Sequence, residues 1–189
     1  MSQQELLKKV VQALNANKID YMITGSVASS YYGEPRSTHD IDVVVSINAS
    51  GVESLAASFP AKNFYFDKEG FVEAIKSKRM VNVIDLREGD KIDFWIISDE
   101  AFSRESFGRK TEEDFMGIKV KFPTPEDVII SKLKWAKESG GSEKQLRDVT
   151  GVYEVYQDKL DLKYIEKWID QLSLKDLWNL AINRVGKDL

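Results

Sequence analysis

Two carboxylates stand two residues apart at the start of an apolar run: Asp40 and Asp42, with Ile41 between them and valines through position 45. Side chains alternate between the two faces of a β-strand, so the spacing predicts that both carboxylates lie on one face. A third carboxylate, Asp93, lies in a second apolar run over residues 91–97, where an unpaired charge is costly. If the two runs pair as neighbouring strands, the three carboxylates converge.

Converging carboxylates repel one another, and a hard divalent cation bound through oxygen atoms offsets that repulsion. The pattern therefore predicts that Asp40, Asp42 and Asp93 are metal ligands and catalytic residues. We expect Mg²⁺ as the cofactor, with two ions in the site and Mn²⁺ as a substitute. Two ions at such a site lower the pKa of an attacking hydroxyl and stabilise in-line displacement at phosphorus.

A glycine–serine pair supplies a second chemical signal. Gly25 and Ser26 follow a short apolar run at residues 21–24 and precede a short helical pattern at residues 27–32. Glycine at a strand-to-helix turn lets the backbone approach a phosphate closely, and the free N–H groups at the start of a helix attract anions. The pair is expected to bind a phosphate group, although an ordinary turn with a serine N-cap would have the same sequence.

Structural roles would also account for the acids taken singly. Asp40 and Asp42 fit a solvated strand start, and Asp93 fits an edge-strand residue paired with Lys91 or an arginine. An EF-hand loop starting at Asp40 is excluded, because its fifth and sixth positions are valines instead of an oxygen ligand and a glycine. The sequence also lacks the glycine-rich phosphate loops of P-loop and dinucleotide-binding proteins.

Two basic residues are further candidates for nucleotide binding. Lys132 lies on the apolar stripe of a predicted helix, where a lysine either snorkels to solvent or meets an anion such as a triphosphate. Arg36 lies just upstream of the first two acids, where it either reaches a substrate phosphate or braces its own loop.

Hydrophobic periodicity predicts the elements that position these residues. A helix opens the chain, the turn at residues 87–90 joins two strands as a β-hairpin, and Thr124 with Pro125 starts a helix as N-cap and first helical residue. Residues 99–117 fit no clear pattern. The first helix is predicted to end near residues 15–18. Further helices are predicted over residues 27–32, 52–59, 71–75, 125–139, 142–157, 161–172 and 174–185, and strands over residues 21–24, 41–47, 81–86, 91–98 and 118–122.

Composition limits the classes of protein. The chain has 189 residues, 42% of them hydrophobic, which favours one folded unit over a disordered chain. It has no cysteine, which excludes disulfides and thiol chemistry, and a net charge of −4, which shows no overall basic footprint for nucleic acid. No run resembles a signal peptide or a membrane span, so a cytoplasmic protein is expected.

The predicted fold class is α/β of the α+β type. Residues 1–122 are expected to form a small mixed β-sheet core with flanking helices, including the N-terminal helix. Residues 123–189 are expected to form a C-terminal helical bundle, a tail packed on the core.

The order of these motifs resembles the nucleotidyltransferase superfamily in its minimal bacterial form, and in particular the AbiEii-type toxin nucleotidyltransferases. That family has Gly-Ser, then Asp-x-Asp about a dozen residues later, then a third acid on a later strand, and the residues Gly25, Ser26, Asp40, Asp42 and Asp93 match it in order. The resemblance extends to the segment from Glu126 through Lys132 to the Arg147–Asp148 pair, and covers most of residues 20–185.

The resemblance implies transfer of a nucleoside monophosphate from an NTP to a hydroxyl acceptor, with release of pyrophosphate. The acceptor would be a protein, a tRNA or other RNA, or a small molecule. The resemblance also suggests a toxin with an antitoxin-like protein partner, and a role for Asp148 in ordering the site or contacting the nucleotide. An ion pair with Lys144, one helical turn earlier, would also explain Asp148.

A second function fits the same motifs. The chain could be a catalytically weak module that binds a nucleotide, or a partner protein through its helical tail, and that has kept the fold. Pyrophosphate release separates the two hypotheses, because only the enzyme produces it.

Overall fold

The computed structural model describes residues 1–186 and divides into two compact units. Unit 1 comprises Met1–Thr24 and Thr38–Phe122, and unit 2 comprises Gly25–Ser37 and the described residues from Pro123 onward. The helices are α1 (Gln3–Ala16), α2 (Gly25–Tyr32), α3 (Ala49–Ala57), α4 (Lys68–Ser77), α5 (Ala101–Arg109), α6 (Pro125–Glu138), α7 (Glu143–Tyr156), α8 (Leu162–Leu172) and α9 (Lys175–Ile182). The strands are β1 (Asp20–Ile23), β2 (Asp40–Ser46), β3 (Phe64–Phe66), β4 (Met80–Asp85), β5 (Lys91–Ile96), β6 (Thr111–Phe115) and β7 (Ile118–Phe122).

Unit 1 is built around a five-stranded mixed sheet with the order β1-β2-β5-β4-β3. Strands β2 and β5 are parallel, and the other neighbouring pairs are antiparallel. The predicted hairpin of β4 and β5 is confirmed, and its turn contains Gly89 at a φ of +80°, a left-handed conformation that glycine adopts without steric cost. Because β5 lies between β2 and β4, Asp93 is not an edge-strand residue, and that alternative is wrong.

One face of the central strands forms the core of unit 1. Alternate residues of β2 and β5 are fully or almost fully buried, and Phe94 of β5 packs against Phe59 and Phe71. Burial of aliphatic and aromatic side chains of this size contributes about 1.5–3 kcal/mol each. The period-2 pattern therefore places Asp40 and Asp42 of β2 and Asp93 of β5 on the other face, together with Lys91 and Trp95 of β5.

Unit 2 is helical. Thr124 caps α6, because its side-chain oxygen accepts a hydrogen bond from the backbone N–H of Asp127, and Pro125 is the first helical residue, as predicted. Helix α6 packs against α7 and α8, and α2 packs against α6 and α7. Where α2 ends, the backbone at Gly33 approaches Gly151 of α7 so closely that a Cβ at position 33 would lie 2.8 Å from the Gly151 carbonyl carbon.

The predicted fold class, a mixed α/β unit with flanking helices and C-terminal helices, is confirmed. Three elements were missed by periodicity. The charged segment 99–117 contains α5 and β6, and β6 pairs with β7 in a separate two-stranded sheet. Strand β3 has only three residues, too few for a period to be recognised. Within residues 1–186, no helix combines the length and the apolar character that a membrane crossing requires.

Candidate active site

The three predicted acids share one face of the sheet in unit 1. Asp42 of β2 and Asp93 of β5 are direct partners in the parallel ladder, and Asp40 lies two residues before Asp42 on the same strand and face. Adjacent strands are about 4.8 Å apart, so two carboxylates in register are neighbours. The structure therefore brings Asp42 and Asp93 together across two strands that are about fifty residues apart in the chain.

Burial and charge both act on Asp93. Asp93 is half-buried, whereas Asp40 at the strand start is exposed. Burial raises the pKa of Asp93, and the negative charges of Asp42 and Asp40 raise it further. Both effects disfavour the ionised carboxylate, because a buried charge loses hydration and like charges repel. A cation placed among these carboxylates would reverse both effects.

Two neutral side chains donate hydrogen bonds to the paired acids. Asn82 of β4 is the register partner of Asp93, and its Nδ2 donates to Asp93 Oδ1 at 2.8 Å. Trp95 of β5 lies two residues after Asp93, and its Nε1 donates to Asp42 Oδ1 at 3.2 Å. These contacts were missed at the sequence level, because the strand pairing that creates them is not visible in a single sequence.

The donor set fits Mg²⁺ in its chemistry, because all three groups are carboxylates and Mg²⁺ is bound in proteins mainly through carboxylates and water. The shared face and the raised pKa of Asp93 agree with that fit. In the part of the chain that the structure describes, no three carboxylate or imidazole groups are already gathered closely enough to enclose a metal ion. The fit therefore rests on the type and the placement of the donors.

Unit 2 holds a second polar cluster, centred on Asp148 of α7. Lys132 Nζ of α6 donates to Asp148 Oδ2 at 2.6 Å, and the guanidinium of Arg36 binds both carboxylate oxygens, through Nε and Nη2 at 2.9 Å each. The side chains of Lys132 and Asp148 are only 6% and 5% exposed. Burial acts to raise the pKa of Asp148, but the hydrogen bond from Arg36 and the charge of Lys132 outweigh it and hold that pKa below its usual value.

This pairing decides between the alternatives for two predicted residues. Lys132 does not snorkel to solvent; it is buried and paired with the carboxylate of Asp148. Asp148 takes its cations from α6 and from the loop after α2, not from Lys144 of its own helix. Two cations and one anion leave the cluster with one excess positive charge, counted over these three groups.

The cluster extends to the start of α2. Arg36 Nη2 donates to Ser26 Oγ at 2.6 Å, and Ser29 Oγ, which sequence analysis did not single out, donates to Asp148 Oδ2 at 3.1 Å. Gly25, the first residue of α2, has a φ of +62°, a left-handed conformation that favours glycine. Four of the five predicted nucleotide-binding residues thus belong to one hydrogen-bonded network, and Gly25 adjoins it in the chain.

The acids at the start of α6 have structural roles. Asp127 is fully buried and accepts hydrogen bonds from the hydroxyls of Tyr164 and Thr124, at 2.7 and 2.9 Å. Glu126 Oε1 accepts a hydrogen bond from the backbone N–H of Asp161, the residue before α8. The part of the family resemblance that includes these two acids therefore corresponds to helix capping and packing within unit 2.

The sequence matches no protein-family model and no curated protein. Solved structures do share the fold. ANT(2")-Ia in complex with adenylyl-2"-tobramycin is 16% identical with a TM-score of 0.57, over 93% of this chain and 99% of that one. An antigenic nucleotidyltransferase-like protein from Paracoccidioides brasiliensis is 19% identical with a TM-score of 0.57, over 95% and 92% of the two chains. The lincosamide antibiotic adenylyltransferase LnuA, bound to lincomycin, is 11% identical with a TM-score of 0.56, over 82% and 98%. The chain therefore has the nucleotidyltransferase fold.

Proposed function

We propose that this protein is a Mg²⁺-dependent nucleotidyltransferase that moves a nucleoside monophosphate from an NTP to a hydroxyl acceptor and releases pyrophosphate. One observation carries the proposal: Asp40, Asp42 and Asp93 lie on one face of adjacent strands in a chain with the nucleotidyltransferase fold. A half-buried carboxylate beside two others is destabilised when ionised, as the raised pKa of Asp93 indicates, and a bound cation would stabilise it.

In this proposal the three aspartates are the metal ligands. When bound, Mg²⁺ would supply positive charge for the phosphates and lower the pKa of the acceptor hydroxyl. The protein's own contribution is to hold the carboxylates in place. Rigid β-strands fix the backbone of Asp42 and Asp93, and neighbouring side chains fix their Oδ1 atoms through hydrogen bonds.

We assign nucleotide binding to the cluster of unit 2. The backbone at Gly25 and the hydroxyl of Ser26 would contact phosphate oxygens, since glycine allows close approach and helix starts favour anions. Lys132 and Arg36 would supply positive charge as the pyrophosphate leaves. Asp148 would act on the nucleotide through these cations, because it fixes both of them by short hydrogen bonds.

The acceptor is proposed by its chemistry as a hydroxyl group on a small molecule, a protein or an RNA. Two of the solved structures that share the fold point first to small molecules: one holds adenylyl-2"-tobramycin, and the other is a lincosamide adenylyltransferase bound to lincomycin. A toxin that modifies tRNA or protein and is held by an antitoxin-like partner is the other acceptor hypothesis.

The test is label transfer from each α-labelled NTP with Mg²⁺ and a panel of acceptors: aminoglycosides, lincosamides, tRNA and total protein. Pyrophosphate release is measured in parallel. Asp42→Asn should lower the rate by at least about 100-fold, because loss of a metal ligand removes several kcal/mol of transition-state stabilisation. Asp114→Asn is the matched control, since Asp114 is an exposed carboxylate on β6 and its loss should leave the rate unchanged.

The outcomes separate the two hypotheses. Transfer that persists undiminished in Asp42→Asn would contradict the assignment of the acids. Nucleotide binding by the wild type without pyrophosphate release for any acceptor would favour the catalytically weak binding module.

A further inference from the structure

We propose that Asn82 and Trp95 are positioning residues that hold Asp93 and Asp42 in the orientation required to bind the divalent cation, an inference that rests on the proposed function. Neither residue belongs to the motif by which the acids are recognised. Both are placed by the sheet, one on β4 and one on β5.

Asn82 contacts Asp93 across the antiparallel pair of β4 and β5. The row of side chains that runs across β2, β5 and β4 contains Asp42, Asp93 and Asn82 in direct register, so the amide lies on the same face as the two acids. Its Nδ2 donates to Asp93 Oδ1 at 2.8 Å, a good hydrogen-bond length. This contact restricts the rotation of the half-buried Asp93 carboxylate.

Trp95 of β5 contacts Asp42 of β2 diagonally, because Trp95 is in register with Val44, two residues after Asp42. It stands in the next row, between Val44 and Met80, and its indole Nε1 reaches Asp42 Oδ1 at 3.2 Å. The large ring is itself half-buried, which limits the number of positions that it can adopt. Asp93 and Asp42 thus accept hydrogen bonds from N–H groups of different neighbours, Asn82 and Trp95.

The chemical type of these donors matters. An amide and an indole N–H each donate a hydrogen bond without adding charge, whereas a lysine or arginine in the same place would neutralise the carboxylate and repel a metal ion. The cluster of unit 2 shows the contrasting arrangement, because there Asp148 is paired directly with Arg36 and Lys132. Asn82 and Trp95 orient the acids of unit 1 without adding positive charge, so the positive charge acting on Asp93 comes from Lys91, the register partner of Asp40, and not from these donors. Partners that orient metal ligands in this way typically contribute 10- to 100-fold to metal affinity, about the effect expected here.

The test is Mn²⁺ binding to the full chain, followed as the loss of free Mn²⁺ signal in electron paramagnetic resonance, with Mg²⁺ as competitor. Asn82→Leu and Trp95→Phe should each raise the Mn²⁺ dissociation constant by about 10- to 100-fold, with little change in melting temperature. Asn82→Gln, which keeps the amide, should bind more tightly than Asn82→Leu. Asn82→Lys should bind weakly although it keeps a donor, because it adds a positive charge. The controls are Asn179→Leu and Trp178→Phe on α9, which should bind as the wild type does.

Failure of this inference and failure of the proposed function give different results. If the wild type binds Mn²⁺, Asp42→Asn abolishes binding, and Asn82→Leu and Trp95→Phe bind like the wild type, the positioning roles are overturned and the acid site stands. If the wild type does not bind Mn²⁺, both proposals fail. Asn82→Ser, a smaller change, replaces Asn82→Leu if the latter does not fold. Transfer assays provide a second readout: the weakened variants should regain activity at high Mg²⁺, which a variant that is damaged only in packing would not do.

Discussion

Replacing Asp148 by alanine should destabilise the protein strongly, because the change leaves a lysine charge buried without its partner. The Asp148 carboxylate accepts hydrogen bonds from Lys132, from two atoms of Arg36 and from Ser29. The Lys132 side chain is 6% exposed and so cannot recover its hydration, whereas Arg36 is 23% exposed and can do so in part.

The magnitude follows from that difference in burial. Removal of one partner of a buried ion pair costs about 3–5 kcal/mol, and Lys132 meets the condition fully. Since a domain of ordinary stability unfolds at a cost of about 5–15 kcal/mol, Asp148→Ala should lose roughly a fifth or more of the total. Asp148→Asn keeps an acceptor for Arg36 but not the charge, so its loss should be smaller.

The assay is urea unfolding followed by far-UV circular dichroism. Glu143→Ala is the matched control, because Glu143 also accepts two hydrogen bonds from one arginine, Arg184, but on the surface with 75% exposure of its side chain. Surface pairs of this kind contribute little, so the control should unfold at nearly the wild-type urea concentration. Adding Lys132→Met to Asp148→Ala should recover part of the lost stability, since it removes the buried positive charge that Asp148 neutralises.

The pH dependence gives a further check on the same residue. The pKa of Asp148 is lowered in the folded protein, so its contribution is present above the usual aspartate range and is lost as the pH falls through the folded-state pKa. The stability difference between wild type and Asp148→Ala should therefore shrink in acid. Our reasoning is refuted if Asp148→Ala destabilises the protein no more than Glu143→Ala at neutral pH.

Two other predictions concern stability. Asp93→Asn should raise the melting temperature at neutral pH in EDTA. The pKa of Asp93 is raised in the folded protein, so ionisation of this carboxyl lowers the stability of the wild type as the pH rises through that pKa. The difference between the variant and the wild type should therefore vanish well below the usual aspartate range, where Asp93 is protonated in both the folded and the unfolded state. A variant that melts lower than the wild type at neutral pH would contradict this sign. Gly33→Ala should destabilise by about 1–3 kcal/mol, because its Cβ would lie 2.8 Å from backbone atoms of Gly151 and Val152. Gly108→Ala is the control on α5, where a Cβ meets nothing within 4 Å and should stabilise the helix by roughly 0.5–1 kcal/mol, both changes being measured by urea unfolding.

Local patterns were sufficient for most of the elements. The helix that starts at Thr124 and Pro125 was predictable because capping depends on residues within one turn of each other. The shared face of Asp40 and Asp42 was predictable because the two-residue period of a strand is a local property. The segment 99–117 was not, since α5 and β6 are short and heavily charged, and β6 forms only by pairing with β7.

The candidate site divides in the same way. Sequence spacing identified all three acids as candidates, but Asp42 and Asp93 lie close together only because β2 pairs with β5 in parallel. The hydrogen bonds from Asn82 and Trp95 likewise depend on the register of the strands. In unit 2, the sequence left two alternatives for Lys132, a side chain that snorkels to solvent or one that meets an anion, and the structure shows the second. The anion that pairs with Lys132 in the structure is Asp148 of the next helix. Hydrophobic periodicity cannot predict which acidic residue pairs with a buried lysine.

By itself, then, the sequence determined where most of the helices and strands form, which face of each is apolar, and the order of three aspartates and a glycine–serine pair that resembles the nucleotidyltransferases. These properties depend on neighbours within a few residues. Only the tertiary structure decided which carboxylates are register partners and which neutral donors orient them. It also decided that Arg36 pairs with Asp148, which lies 112 residues away in the chain. Such contacts depend on how strands and helices pair over long stretches of chain. That pairing is set by the burial of whole apolar faces, whereas the preference of a single residue does not decide it.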